Sequence, residues 1–131
     1  MTLLGTHRAD ITPAGPVPLA GYARRANLGP TDAVLAPLRL RTFVLGEADD
    51  APVVIVGADL LWWSDELVQA LREQVHEEFG IPGHNLVLHA THTHSGPQTC
   101  RFMAPSLGHI DEDYLEQLRR TTLASIATAL G

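Results

Sequence analysis

Three of the seven histidines of this 131-residue chain fall within six residues, at His89, His92 and His94. Imidazoles so grouped serve as metal ligands or as proton carriers near neutral pH. The single cysteine, Cys100, excludes an internal disulfide framework and a thiolate cluster, so any metal site here is built from His, Asp and Glu. The segment Thr91-His92-Thr93-His94-Ser95-Gly96-Pro97 directly follows the apolar run Asn85 to Ala90. In extended backbone, residues two apart project to the same side, which turns His92 and His94 toward one crevice and Thr91 and Thr93 away from it. A second apolar run, Val53 to Ala58, ends at Asp59. A carboxylate from one strand end and two imidazoles from the next bind a divalent metal, or the carboxylate orients one imidazole from behind. Zinc suits this donor set best.

The opposing interpretation is a polar turn in which both histidines only bond loop backbone, and spacing alone does not choose between the two. His89 lies within the strand run and points to the opposite side, which makes it a packed residue or a support behind the pair. His7, His76, His84 and His109 carry no motif. Trp62 and Trp63 follow Asp59 and could wall an apolar cleft, although Trp63 just before Ser64 is better placed to staple onto Val68. Cys100 fits a small buried residue better than an additional ligand. Ser95 lacks the Gly-x-Ser-x-Gly surroundings of a nucleophile and reads as a turn residue.

Around these residues the chain reads as one α/β domain spanning 1–131. Leu3 to Ala9 reads as a short strand. The prolines Pro13, Pro16 and Pro18 then break regular structure and make an ordered surface loop or a covering arm. Leu38 to Leu45 alternates with period two, and Val53 to Ala58 is a β-branched run of the kind buried on both faces of a sheet. The polar residues from Glu47 to Pro52 join the two as a hairpin. Ser64 caps a helix carrying Leu67, Val68, Leu71, Val75 and Phe79, which Gly80 and Pro82 stop. Asn85 to Ala90 is the next strand, so Val53 to Ala90 forms a parallel strand-helix-strand unit within a mixed sheet. Asp111 caps a last helix with Leu115, Leu118, Thr122, Ile126 and Ala129 on one face.

Lys+Arg number 9 against 15 Asp+Glu, for a net charge of −6, which argues against a nucleic-acid partner. The apolar stretches are strand-length, shorter than a membrane span. The N-terminal residues lack a basic segment followed by an apolar one, from which a cytoplasmic location is expected.

Five segments resemble, in order, the neutral/alkaline non-lysosomal ceramidase family at the N-terminal part of its catalytic domain. They are Asp10-Ile11-Thr12-Pro13, Leu19-Ala20-Gly21-Tyr22, Leu38-Arg39-Leu40-Arg41, Val56-Gly57-Ala58-Asp59-Leu60 and the histidine turn from Thr91 to Pro97. The resemblance implies that His92 is a zinc ligand, with a further histidine, a glutamate and a tyrosine supplied elsewhere, and that His94 is the neighbouring catalytic residue facing substrate or the attacking water. It implies hydrolysis of an N-acyl bond, as in ceramide, on a lipid or small amide substrate. The family pattern continues after Gly-Pro with small residues, whereas Gln98-Thr99-Cys100 follow here. Because the residues to Gly131 do not reach the region that would hold the remaining ligands, the expectation is an incomplete part of a larger catalytic domain, inactive alone and prone to self-association or in need of a complementary polypeptide. The alternative is a non-catalytic α/β module whose His-x-His turn is structural or binds metal weakly.

Overall fold

The computed structural model describes residues 2–25, 27–47 and 50–131. Strands β1 (Thr2–Asp10), β2 (Arg39–Gly46), β3 (Val53–Ala58) and β4 (Leu86–Ala90) form one sheet in the order β1-β2-β3-β4. The first two junctions are antiparallel and β3–β4 is parallel, as expected for a hairpin followed by a helical crossover. Of the polar turn between β2 and β3, Ala48 and Asp49 lie outside the described residues.

Helix α1 (Asp65–Phe79) makes the crossover. The Ser64 hydroxyl accepts from the Leu67 N–H at 3.2 Å, Asp65 and Glu66 complement the helix dipole, and Gly80 ends the helix at φ 68°, a conformation that glycine adopts without steric cost. Helix α2 (Glu112–Leu130) starts on Asp111, whose carboxylate accepts from the Tyr114 N–H at 2.8 Å. Its buried face is Tyr114, Leu118, Thr122, Leu123, Ser125, Ile126 and Ala129. Leu115 is only half-buried, so the face is rotated toward Tyr114 relative to the periodic pattern. A buried polar link accounts for Ser125, whose hydroxyl lies 2.7 Å from Thr42 Oγ1 and 3.0 Å from His7 Nδ1.

Both helices pack on the same face of the sheet, where Leu40, Val44, Val54, Val56, Ala58 and Leu86 join Leu67, Leu71, Val75, Leu118 and Ile126 in one core. Each of the Leu, Val and Ile side chains among them, fully buried, contributes about 1.5–3 kcal/mol of hydrophobic stabilisation. The opposite face is different. Phe43, Ile55 and Val87 stand in cross-strand register on it, and Phe43 and Val87 are 42% and 45% exposed. This corrects the expectation that the Val53 to Ala58 run is buried on both faces. Burial alternates along β3, and β4 is one of the two edge strands of the described sheet. Neither strand is enclosed because α1 and α2 share a single face.

The proline-rich segment is a covering arm. Val17 bridges Thr31, Leu19 bridges Pro97, and Ile11, Val17 and Ala20 are buried, which draws the arm across the edge of the sheet where β3 and β4 end.

Candidate active site at the histidine turn

Because β3 and β4 are parallel with Ala58 opposite Ala90, both strands deliver their carboxyl ends to one edge of the sheet. This is where open α/β sheets hold ligands. The pairing persists past the strands, with Thr91 N–H donating to Ala58 C=O at 3.0 Å and Thr93 N–H to Leu60 C=O at 3.1 Å. The segment Leu60 to Trp63 thus runs beside the histidine turn as its wall.

His92 has φ 61°, the left-handed region that a non-glycine side chain enters at a cost. The turn is therefore not extended at His92, contrary to the two-apart argument. Its rings nevertheless converge, with His92 and His94 centroids 5.1 Å apart and edge-on at 78°. His92 Nδ1 lies 2.8 Å from the Leu61 carbonyl oxygen. A carbonyl only accepts, so Nδ1 carries a proton, and in the neutral ring the lone pair is then on Nε2, as in a metal-ligating imidazole held by a backbone carbonyl. The Trp62 ring stands 6.3 Å from it at 59°.

His94 is fixed from the covering arm. Tyr22 packs on it with centroids 4.7 Å apart, and Arg25 donates to the His94 carbonyl while its guanidinium lies 4.7 Å from the Tyr22 ring centre. Gly21 has φ 101°, and a Cβ there would sit 2.5 Å from His94 Nδ1. The arm therefore needs glycine both for its own turn and for the approach of the imidazole. His94 Nδ1 is buried and makes no hydrogen bond among the described residues.

Asp59, expected to bind the metal or to orient one imidazole, is engaged elsewhere. Its Oδ2 accepts from the Arg39 N–H at 2.9 Å and its Oδ1 lies 3.5 Å from Arg41 Nη1. It ties the end of β3 to β2, and neither oxygen is bonded to a histidine. His89 is exposed on the open face of the sheet, neither packed nor behind the pair. Trp63 donates from Nε1 to the His89 carbonyl at 3.0 Å, joining β4 to the start of α1. Ser95 is a turn residue, its N–H donating to Thr93 Oγ1 at 3.2 Å. Cys100 is half-buried, and its backbone N–H is held by Gln98 Oε1. The threonine side of the turn instead faces a separate 560 Å³ cavity with Val17, Leu19 and Leu38 among its walls.

Sequence reasoning missed Arg25 and undervalued Trp62. The signal for Arg25 lay in Gly21-Tyr22 followed by two arginines, a turn glycine and an aromatic beside a planar cation; Trp62 was masked by its neighbour at the helix start.

Among the described residues, no three His, Cys, Asp or Glu side chains group to hold a metal. The donor chemistry still fits zinc in part, since His92 presents one oriented Nε2 lone pair at an accessible edge. One imidazole, or two with His94, leaves the remaining positions of a four-coordinate ion to other donors.

Solved structures similar to this chain include two ceramidases. A ceramidase complexed with C2 matches at 26% identity and a TM-score of 0.81, covering 97% of this chain and 20% of that one. The neutral ceramidase of Pseudomonas aeruginosa matches at 27% identity and a TM-score of 0.77, covering 95% of this chain and 21% of that one. The chain thus spans about a fifth of the length of these proteins. No curated protein matches. The family described as neutral/alkaline non-lysosomal ceramidase, N-terminal, matches residues 2–130, and the chain belongs to that family.

Proposed function

We propose that this chain is the N-terminal part of a zinc-dependent amide hydrolase that cleaves N-acyl bonds in ceramide-like lipids or smaller amides. His92 is the zinc ligand contributed by this chain, and His94 is the catalytic neighbour that faces substrate or the attacking water. The observation that carries the reading is the hydrogen bond from His92 Nδ1–H to the Leu61 carbonyl, which directs a neutral Nε2 outward from the sheet edge. Zinc, when bound, supplies Lewis acidity toward the amide carbonyl and a water acidic enough to attack near neutral pH. The chain's own residues hold the two rings: Leu61 fixes one by its carbonyl, while Gly21, Tyr22 and Arg25 seat the other. Asp59 serves in the scaffold, between β2 and β3.

The chain alone is incomplete as a catalyst, and the remaining histidine, glutamate and tyrosine come from further polypeptide. The half-exposed row Phe43, Ile55 and Val87 supports this, since it offers an apolar face for that polypeptide or for a second copy. No helix among the described residues is long and apolar enough to cross a membrane. The cytoplasmic placement belongs to the same proposal.

The reading is tested by assaying a panel of N-acyl amides, short-chain ceramide included, with the zinc-loaded chain alone and joined to the polypeptide, from a longer reading frame or an adjacent one, that carries the missing ligands. Hydrolysis by the joined protein, lost in His92→Ala and absent from the chain alone, is expected. Retained hydrolysis in His92→Ala overturns the assignment, and absence of those ligands from both a longer reading frame and any neighbouring coding sequence removes the enzyme reading.

A further inference from the structure

Gln98 departs from the small residue that the family pattern carries after Gly-Pro, and the structure buries it completely. Its side chain is committed. Oε1 accepts from Trp62 Nε1–H at 2.8 Å and from the backbone N–H groups of Thr99 and Cys100, both at 3.1 Å. Three converging donors fix which end of the amide is the oxygen. The other end of Trp62 is held as well, because Thr99 Oγ1 donates to the Trp62 carbonyl at 2.6 Å. Gln98 and Thr99 therefore grip one residue by its indole and its backbone.

That residue sits at the centre of the wall that orients His92. The carbonyl just before it, on Leu61, takes the His92 Nδ1 proton, and its ring stands 6.3 Å from the imidazole, within the range of tilted aromatic packing. A peptide that drifts or an indole that swings releases both restraints together. Keeping Gln98 in place has a cost that a purely structural filler would avoid: its Nε2 is buried without a hydrogen-bond partner among the described residues.

We propose that Gln98 is a positioning residue for the histidine centre, holding Trp62 and, through Trp62 and Leu61, the tautomer and plane of His92. This rests on His92 as the site's ligand, but the positioning itself is readable without metal. Histidines that ligate metals depend on such supports, and removing one costs about 10–100-fold in metal affinity.

The test compares the intact chain with Gln98→Met, which keeps the volume but lacks the acceptor, with Gln98→Glu, which keeps the acceptor, and with Trp62→Phe, which removes the donor. All are made in a Trp63→Phe background so that emission reports Trp62 alone. Histidine-ring NMR without metal reads the His92 tautomer, and competition with a chromophoric chelator reads zinc affinity. In Gln98→Met, the Nδ1–H tautomer of His92 should lose its dominance, Trp62 emission should shift, and zinc affinity should fall about tenfold. Gln98→Glu should restore the tautomer and most of the affinity. Trp62→Phe combined with Gln98→Met should be no worse than either alone. An unchanged His92 tautomer in a folded Gln98→Met chain overturns the proposal, as does failure of Gln98→Glu to restore it if the Gln98→Glu chain is folded. If the parent takes up no zinc while the tautomer responds as expected, the zinc reading fails and the positioning role stands.

Discussion

The strand-helix-strand unit and the histidine turn it supports are built by opposite rules. In the unit, each local preference agrees with the fold: Ser64 caps α1, Gly80 ends it, and apolar residues alternate along β3 onto the core. In the turn, His92 occupies left-handed backbone, His94 Nδ1 and Gln98 Nε2 are buried without hydrogen-bond partners among the described residues, and an arginine stacks on an exposed tyrosine. A chain that solves the first problem so regularly and leaves the second strained is holding groups for something other than stability.

Breaking the unit should have the larger effect on folding. Leu118, fully buried where α2 meets the sheet, should lose about 2–5 kcal/mol on substitution by alanine, measured by urea denaturation. The same variant, while folded, should leave the His92 ring signals where they are. An intermediate effect is expected from Gly21→Ala, where a left-handed alanine costs about 1–3 kcal/mol and the methyl also displaces the His94 ring. Loss of stability with the His94 signals unmoved would contradict the packing described for the arm.

The turn should respond in the reverse sense. His92→Gly relieves about 1–2 kcal/mol of left-handed strain and forfeits a hydrogen bond worth about 0.5–1.5 kcal/mol, so its stability should stay within about 1 kcal/mol of the parent. Zinc binding at the turn should nonetheless be lost. A large destabilisation would mean that His92 is a structural residue.

The smallest effect is electrostatic and lies on the surface of α2. Hydrogen bonds from Arg119 and then Arg120 hold the Glu116 carboxyl at about 2, below its ordinary 4.5. Its folded value is depressed, so the contribution is complete above pH 4.5 and fades as pH falls toward 2. Glu116→Gln should therefore be slightly less stable than the parent at pH 7, and the two chains should converge as pH falls toward 2, which acid titration of both would show.

Much of the scaffold was legible because it rests on local chemistry. The caps of α1 and α2, the β2–β3 hairpin and the parallel β3–β4 pair follow from Ser64, Asp111 and two apolar runs separated by a helical period. Which faces of Val53 to Ala58 are covered was not legible from the run itself, since a β-branched run looks alike whether one face or both are enclosed. In the site, the convergence of His92 and His94 was read for the wrong reason, through extended geometry that the backbone at His92 does not have. Asp59 was near in topology but captured by the Arg39 backbone N–H and the Arg41 guanidinium, groups whose positions depend on register. Tyr22 and Arg25 arrive from a covering arm some seventy residues earlier, a long-range contact that no local pattern encodes.

The central claim, that His92 presents an oriented Nε2 as a zinc ligand, is tested most directly by titrating zinc into the isotope-labelled chain and following all seven histidine rings by long-range nitrogen-proton NMR. The account predicts that the His92 Nε2 signal moves first while its Nδ1–H is retained, and that this response disappears in His92→Ala but persists in His89→Ala. A first response at another histidine with His92 unmoved, or no response from any ring, would contradict it.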